Sequence, residues 1–221
     1  MLKRVLEDEV MDTVDEAVDY NTMDHSAVNL AFVADLFAAG ADTREVLDLG
    51  TGTGLIPVEL CQQDEQARVV GVDLAVTMLD IARINVDMAG LTHQIMFDLV
   101  DAKELPFETG RFSTVMSNSI IHHIPRPAGV LAEVVRVTAP GGLLFFRDLL
   151  RPDDEPALAR LVETYAGDAN EHQRKMFSDS LHAALTVEEM QALVAPLGFD
   201  PQTVLPTSDR HWTFIARKGE H

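Results

Sequence analysis

Apolar residues recur along this chain at two spacings, and the alternation between them predicts the fold. After Ser26, residues Val28, Ala31, Phe32, Leu36 and Ala39 repeat at helical intervals until Gly40 interrupts them, which predicts a first helix. Short strand-like runs then alternate with amphipathic ones: 45–49 with 55–63, and 67–72 with 75–89, where Gly90 marks the stop. Strand-like stretches at 95–100, 112–117 and 143–146 continue the beat. A helix is expected over about 127–138, followed by a turn at Pro140-Gly141-Gly142. This βαβα order predicts an α/β fold, a mostly parallel sheet covered by helices on both faces.

Residues 152–185 read as helical but more polar, an insertion rather than a sheet layer. Thr186 with Glu189 forms a capping-box signature, Leu185 and Met190 are placed to staple it, and Gly198 stops the helix. Two short strands, 202–205 and 212–216, predict an antiparallel hairpin at one sheet edge. There is no internal repeat and no linker. A chain of 221 residues then fits one domain: 1–40 as arm and helix, 45–150 as core, 151–185 as helical insertion and 186–221 as final helix and strand pair.

Charge narrows the partners. Asp and Glu number 36 against 17 Lys and Arg, a formal charge of −19 that repels phosphate backbones and anionic lipid. A small-molecule partner is expected, with neither nucleic acid nor membrane. The single cysteine, Cys61, cannot form an internal disulfide, and the early residues are acidic where a secretory leader would be basic and then apolar, so a cytoplasmic protein is expected.

The first chemical signal is Asp48-Leu49-Gly50-Thr51-Gly52-Thr53-Gly54, a glycine-rich turn between a buried strand and a helix, where a ligand can approach the backbone. It is not the dinucleotide fingerprint: GxGxxG would need glycine where Leu55 stands, which disfavours a NAD-dependent oxidoreductase. Asp73 closes the next strand, and Asp101 with Ala102 follows the third. Acids at the carboxyl ends of consecutive strands point to one crevice, with Asp73 placed to reach ribose hydroxyls and Asp101 an adenine amino group.

In this order, Asp48, Gly50, Gly52, Gly54, Asp73, Asp101 and Ala102 resemble the motifs of a class I S-adenosylmethionine-dependent methyltransferase, in particular the ubiquinone/menaquinone C-methyltransferase-like group, over about residues 45–150. The resemblance implies a Rossmann-like, seven-stranded, mostly parallel sheet with its last strand antiparallel. It implies S-adenosyl-L-methionine as cofactor, S-adenosyl-L-homocysteine as product, and Leu74, Met78, Asn118 and Ser119 as further donor contacts. The glycine turn would hold the methionine portion. The implied reaction is methyl transfer to a small soluble molecule, by in-line displacement that depends on alignment. A non-catalytic S-adenosylmethionine-binding protein is the remaining alternative.

Acceptor-side candidates follow the fourth and fifth strands. His122 and His123 offer a general base or packed imidazoles. Arg147 offers an anion contact or an ion pair with Asp148. Asn118 is not followed by Pro-Pro-Tyr, the family's amino-methylation signature, so methylation of DNA adenine or glutamine is not expected. No metal is expected, since the pair with His25, His182 or His211 lacks ligand spacing on one element. The acceptor pocket is expected between the glycine-turn side of the sheet and a lid made by the 152–185 insertion and an N-terminal segment containing Tyr20, Met23, Asp24 and His25. Ser208-Asp209-Arg210-His211-Trp212 is expected as a loop with an exposed aromatic, or as a substrate contact.

Overall fold

The computed structural model describes residues 2–7, 13, 17–18, 21–22 and 26–220. Seven strands, β1 (Val46–Leu49), β2 (Val69–Asp73), β3 (Ile95–Leu99), β4 (Phe112–Asn118), β5 (Thr138–Leu149), β6 (Val204–Pro206) and β7 (His211–Arg217), form one sheet. The longer helices are α1 (Ser26–Ala38), α2 (Leu55–Gln63), α3 (Val76–Met88), α4 (Ala128–Val137), α5 (Glu155–Ala166), α6 (Glu171–Ala183) and α7 (Val187–Val194). Among the described residues, no helix is long and apolar enough to cross a membrane.

The strand order is β3-β2-β1-β4-β5-β7-β6. β1 pairs in parallel with β2 and with β4, and β2 with β3. β7 reverses direction: Gly141 donates to Lys218 O and the Lys218 N–H to Gly142 O at one end, Leu150 donates to Arg210 O at the other, and β6 pairs antiparallel to it. Chain order changes direction between β1 and β4, the position where open α/β sheets leave a crevice.

The chain divides into two compact units, each described by itself. The first takes the described residues of 10–118, 128–146 and 215–221, the second those of 1–9, 119–127 and 147–214, so β5 and β7 run through both. In the first unit every residue of β1 is buried, as expected of a strand covered on both faces. Phe32 and Leu36 of α1 pack with Val46, Leu60, Met116 and Phe145, and Phe32 meets Phe145 edge to face at 4.9 Å. Cys61 lies in this core with its thiol pushed up to about 12 by burial, an inert group. In the second unit Leu158 of α5 and Leu181 of α6 pack on Leu149 and Ala184.

The expected turn at Pro140-Gly141-Gly142 is instead part of β5, which starts directly after α4. Gly141, at φ 73, supplies a left-handed kink inside the strand while both glycines keep their bonds to Lys218. Trp212 also differs from expectation. It is fully buried as an inward-facing residue of β7 (His211–Arg217), not exposed in a loop.

The capping box of α7 is present: the Thr186 hydroxyl accepts from the Glu189 N–H at 3.2 Å, and the Glu189 carboxylate accepts from the Thr186 N–H at 3.0 Å. The other Glu189 oxygen accepts from Arg151 at 2.6 Å. Thr186→Ala should cost about 1 kcal/mol, read as a lower urea midpoint with an unchanged denaturant slope; an unchanged midpoint would mean the helix end is satisfied by other means.

Candidate functional site

Between β1 and α2 the chain makes a turn that only glycine fits comfortably. Gly50, Gly52 and Gly54 all have positive φ, at 70, 54 and 74°. Asp73 fixes this turn from the neighbouring strand: one carboxylate oxygen accepts from the Gly52 N–H at 2.8 Å and the other from the Ala75 N–H at 2.9 Å. Gly54 also answers a packing demand. A Cβ there would stand 2.8 Å from the Phe97 ring and 3.1 Å from Ala82.

A cleft of about 340 Å³, mouth included, opens beside the turn, lined by Asn29, Asp48, Gly50, Thr51, Thr53, Leu55, Ile56 and Asn118. Asp48 comes from β1 and Asn118 from the end of β4, so the cleft sits at the sheet's switch point. Asp48 is buried, and burial raises its pKa to about 7; the nearby Thr51 hydroxyl works against this and the nearby Asp73 charge adds to it. Thr51 Oγ1, Thr53 Oγ1 and Asn118 Oδ1 are buried there without a hydrogen-bond partner among the described residues. Buried polar atoms left open toward a cleft mark where a polar ligand would bond.

The other expected donor contacts are spread more widely. Asp101 follows β3, two residues beyond the register partner of Asp73, and is partly exposed with its carboxylate 3.5 Å from Lys103. Ala102 is next to it, half-buried. Leu74 is exposed directly after Asp73, while Met78 is buried against Ala17 and Ala75. None of these four lines the cleft. Ser119 belongs to the second unit. It is the one non-glycine residue with positive φ among the described residues, at 63°, and its N–H donates to Arg147 O.

In the second unit, the turn after Ser119 carries His122 and His123 over Asp148 of β5. Asp148 is buried and fully engaged: it accepts from the N–H groups of Ile121 at 2.6 Å, His122 at 3.3 Å and Leu149 at 2.6 Å, and pairs with His122 Nδ1 at 2.5 Å. Burial opposes charge on both partners, yet their mutual attraction prevails: the imidazole pKa is raised and the carboxyl's lowered. Glu7 approaches from the chain's start, 3.5 Å from His122 Nε2 and 3.1 Å from His123 Nδ1, its own pKa raised by burial.

Arg147 does not join this group. Adjacent strand residues face opposite ways, so as Asp148 meets His122, Arg147 turns to β7 and donates to the Thr213 hydroxyl at 3.1 Å. The Thr213 hydroxyl is thus a partner of Arg147 on the β7 side that the sequence did not anticipate. Tyr20, Met23, Asp24 and His25 lie outside the described residues. Sequence reasoning missed Asn29, which carried no signal beyond its place on the first helix, Thr51 and Thr53, whose only signal was their place within the glycine turn, and Glu7, which looked like one more acid in an acidic arm.

Comparison with known proteins agrees with this geometry. Residues 46–142 match a family model described as a methyltransferase domain. Demethylmenaquinone methyltransferase of Thermus thermophilus is 30% identical over 174 residues, which cover 74% of this chain and 78% of that protein. The 27-O-demethylrifamycin SV methyltransferase of Amycolatopsis mediterranei is 25% identical over 79% of this chain and 62% of its own length. The chain spans 58% and 38% of two further curated relatives. A SAM-dependent methyltransferase from Aquifex aeolicus shares the fold at a TM-score of 0.69 and 16% identity, over 93% of this chain and 98% of that one.

Asp48 makes stability depend on pH. Its folded pKa of about 7 exceeds the ordinary 3.8, so the stability it contributes is complete below the ordinary value and is lost as pH rises through about 7. Asp48→Asn should therefore gain on the wild type, by up to a few kcal/mol, as urea midpoints are compared from mildly acidic to mildly alkaline buffer. A difference that stays constant across that range would contradict the raised pKa.

Proposed function

Because the chain belongs to the S-adenosylmethionine-dependent methyltransferase family, we propose that it binds S-adenosylmethionine in the β1/β4 cleft and transfers the methyl group to a small organic acceptor. The carrying observation is the cleft itself: a buried acid and three open buried polar atoms gathered at the sheet's switch point, beside a left-handed glycine turn. When bound, the donor supplies a methyl group on a positively charged sulfur.

The chain's own residues then have distinct tasks. Asp48 and Asp73 give the cleft negative charge to meet a cationic ligand, and a cation there would draw the Asp48 proton off. The Asp73 carboxylate, which accepts the Gly52 and Ala75 N–H groups beside the glycine turn, is assigned to the ribose hydroxyls. Asp101 is assigned to the adenine amino group and Leu74 to the adenine face. Thr53 and Asn118 are assigned to the polar end of the donor.

On the acceptor side, His122 is assigned as proton acceptor. Asp148 holds its Nδ1 and so presents Nε2, the same orienting role that a carboxylate plays for the histidine of a catalytic triad. His123 is assigned as an acceptor contact. The relatives described above are named for demethylmenaquinone and for a rifamycin, and an organic acceptor of that kind is in keeping with a chain carrying a formal charge of −19.

Calorimetry of the wild type with S-adenosylmethionine should show one site, and Asp73→Ala should weaken it about ten- to a hundredfold, the scale of a charged hydrogen bond. Tight binding of NAD in its place would overturn the reading. With a panel of small quinols and phenols, His122→Asn should keep donor affinity while turnover falls on the order of a hundredfold. Unchanged turnover would reduce the imidazole to packing.

A further inference from the structure

Glu7, His122 and His123 come together in the second unit from chain positions more than a hundred residues apart. Glu7 Oε1 stands 3.1 Å from His123 Nδ1 and 3.5 Å from His122 Nε2, and the three ligand-type atoms all lie within 4.8 Å of one another. Zinc–ligand bonds of about 2.0–2.2 Å at tetrahedral angles separate neighbouring ligand atoms by roughly 3.3–3.5 Å. Two of the three spacings are already near that value.

The surroundings make this a held arrangement rather than a chance meeting of polar groups. Asp148 takes His122 Nδ1, which turns the Nε2 lone pair toward Glu7, the carboxylate–histidine–metal pattern in which an outer carboxylate orients the ligand. Glu7 is anchored in turn: Ser180 donates to its other oxygen at 3.4 Å, and the Val5 N–H donates to His182 O at 3.1 Å. The Arg4 guanidinium donates to the carbonyls of Ala183, His122 and Ile124 at 2.7, 3.1 and 3.1 Å. That network ties the segment bearing Glu7 to the histidine turn. His122 is buried, and although the side chains of Glu7 and His123 keep 18% and 16% exposure, the atoms facing the cluster, Glu7 Oε1 and His123 Nδ1, are themselves buried, so the site lies just beneath the surface.

We propose that Glu7, His122 and His123 bind one borderline-soft divalent cation of the zinc class, and that the bound cation silences His122 as a proton acceptor. Two imidazoles and one carboxylate suit zinc or cobalt, whereas magnesium and calcium take oxygen ligands. Three protein ligands leave one position for water. Nε2 has a single lone pair, so it either holds the metal or accepts a proton. The site stands apart from the methyl-transfer reading; only the silencing rests on it.

The test is titration of the metal-stripped full chain with Co²⁺ and then Zn²⁺. One equivalent of Co²⁺ should give the intense ligand-field absorption of a low-coordinate site, and Zn²⁺ should bleach it. Glu7→Gln and His123→Asn should each weaken binding at least about tenfold, no less than the loss of an outer-shell partner, with circular dichroism confirming that both fold. His172→Asn, at an exposed histidine of α6, should bind as the wild type does. Failure of Co²⁺ to saturate at one equivalent, or wild-type affinity in both ligand variants, overturns the site. In turnover assays Zn²⁺ should inhibit at least tenfold and a chelator should restore the rate, while activation by Zn²⁺ would overturn the silencing. Were methyl transfer itself absent, the cobalt spectrum would still decide whether the site exists.

Discussion

Two hydrogen bonds to one carboxylate hold the ligand side of the first unit in place. Asp73, at the end of β2, accepts from the N–H of Gly52 and of Ala75. The turn after β1 is thereby tied to the start of α3, and the left-handed backbone of the glycines is fixed rather than sampled. Backbone freedom that would otherwise be lost on binding is lost on folding, which is how a preorganised site gains affinity. Loss of this carboxylate would release the shape of the turn as well as the ligand contact proposed for it.

The two fully buried acids, Asp48 and Asp148, show how burial alone leaves a carboxyl's state open. Desolvation raises both. Asp148 faces an imidazole and three backbone N–H groups, and these outweigh the desolvation cost. Asp48 has only the nearby Thr51 hydroxyl in its favour and the charge of Asp73 working against it, so desolvation wins. One acid is finished by the fold. The other is left in a condition that a positively charged ligand improves, and this contrast supports the assignment of Asp48 to donor binding and Asp148 to holding a histidine.

Much of the fold was legible because its elements declare themselves locally. The helix over Leu55–Gln63 matched its periodic run, the Thr186/Glu189 box formed, and GxGxG fell between strand and helix where a ligand turn belongs. What stayed hidden depends on distant partners. Pro140-Gly141-Gly142 reads locally as a turn, and only pairing with Lys218 makes it strand. The direction of Arg147 and Asp148 follows from the facing of β5, which alternation leaves two ways round until the register is known. Glu7 is indistinguishable from its acidic neighbours in sequence; its meeting with the histidines needs a loop of more than a hundred residues to close.

Phe97 illustrates how such a structure channels evolutionary change. Its ring occupies the space above both Gly54 and Gly71, where a Cβ would come within 2.8 Å of it, and a Cβ on Gly71 would also stand 2.7 Å from Thr51 Oγ1. The glycine turn is therefore coupled through one aromatic ring to the middle of β2. Drift at Gly71 is blocked until both Phe97 and Thr51 give way, and a smaller residue at position 97, arriving first, opens a cavity with its own cost. The order of substitutions then matters more than their identity, so lineages would exchange this trio as a block across an epistatic valley rather than one residue at a time.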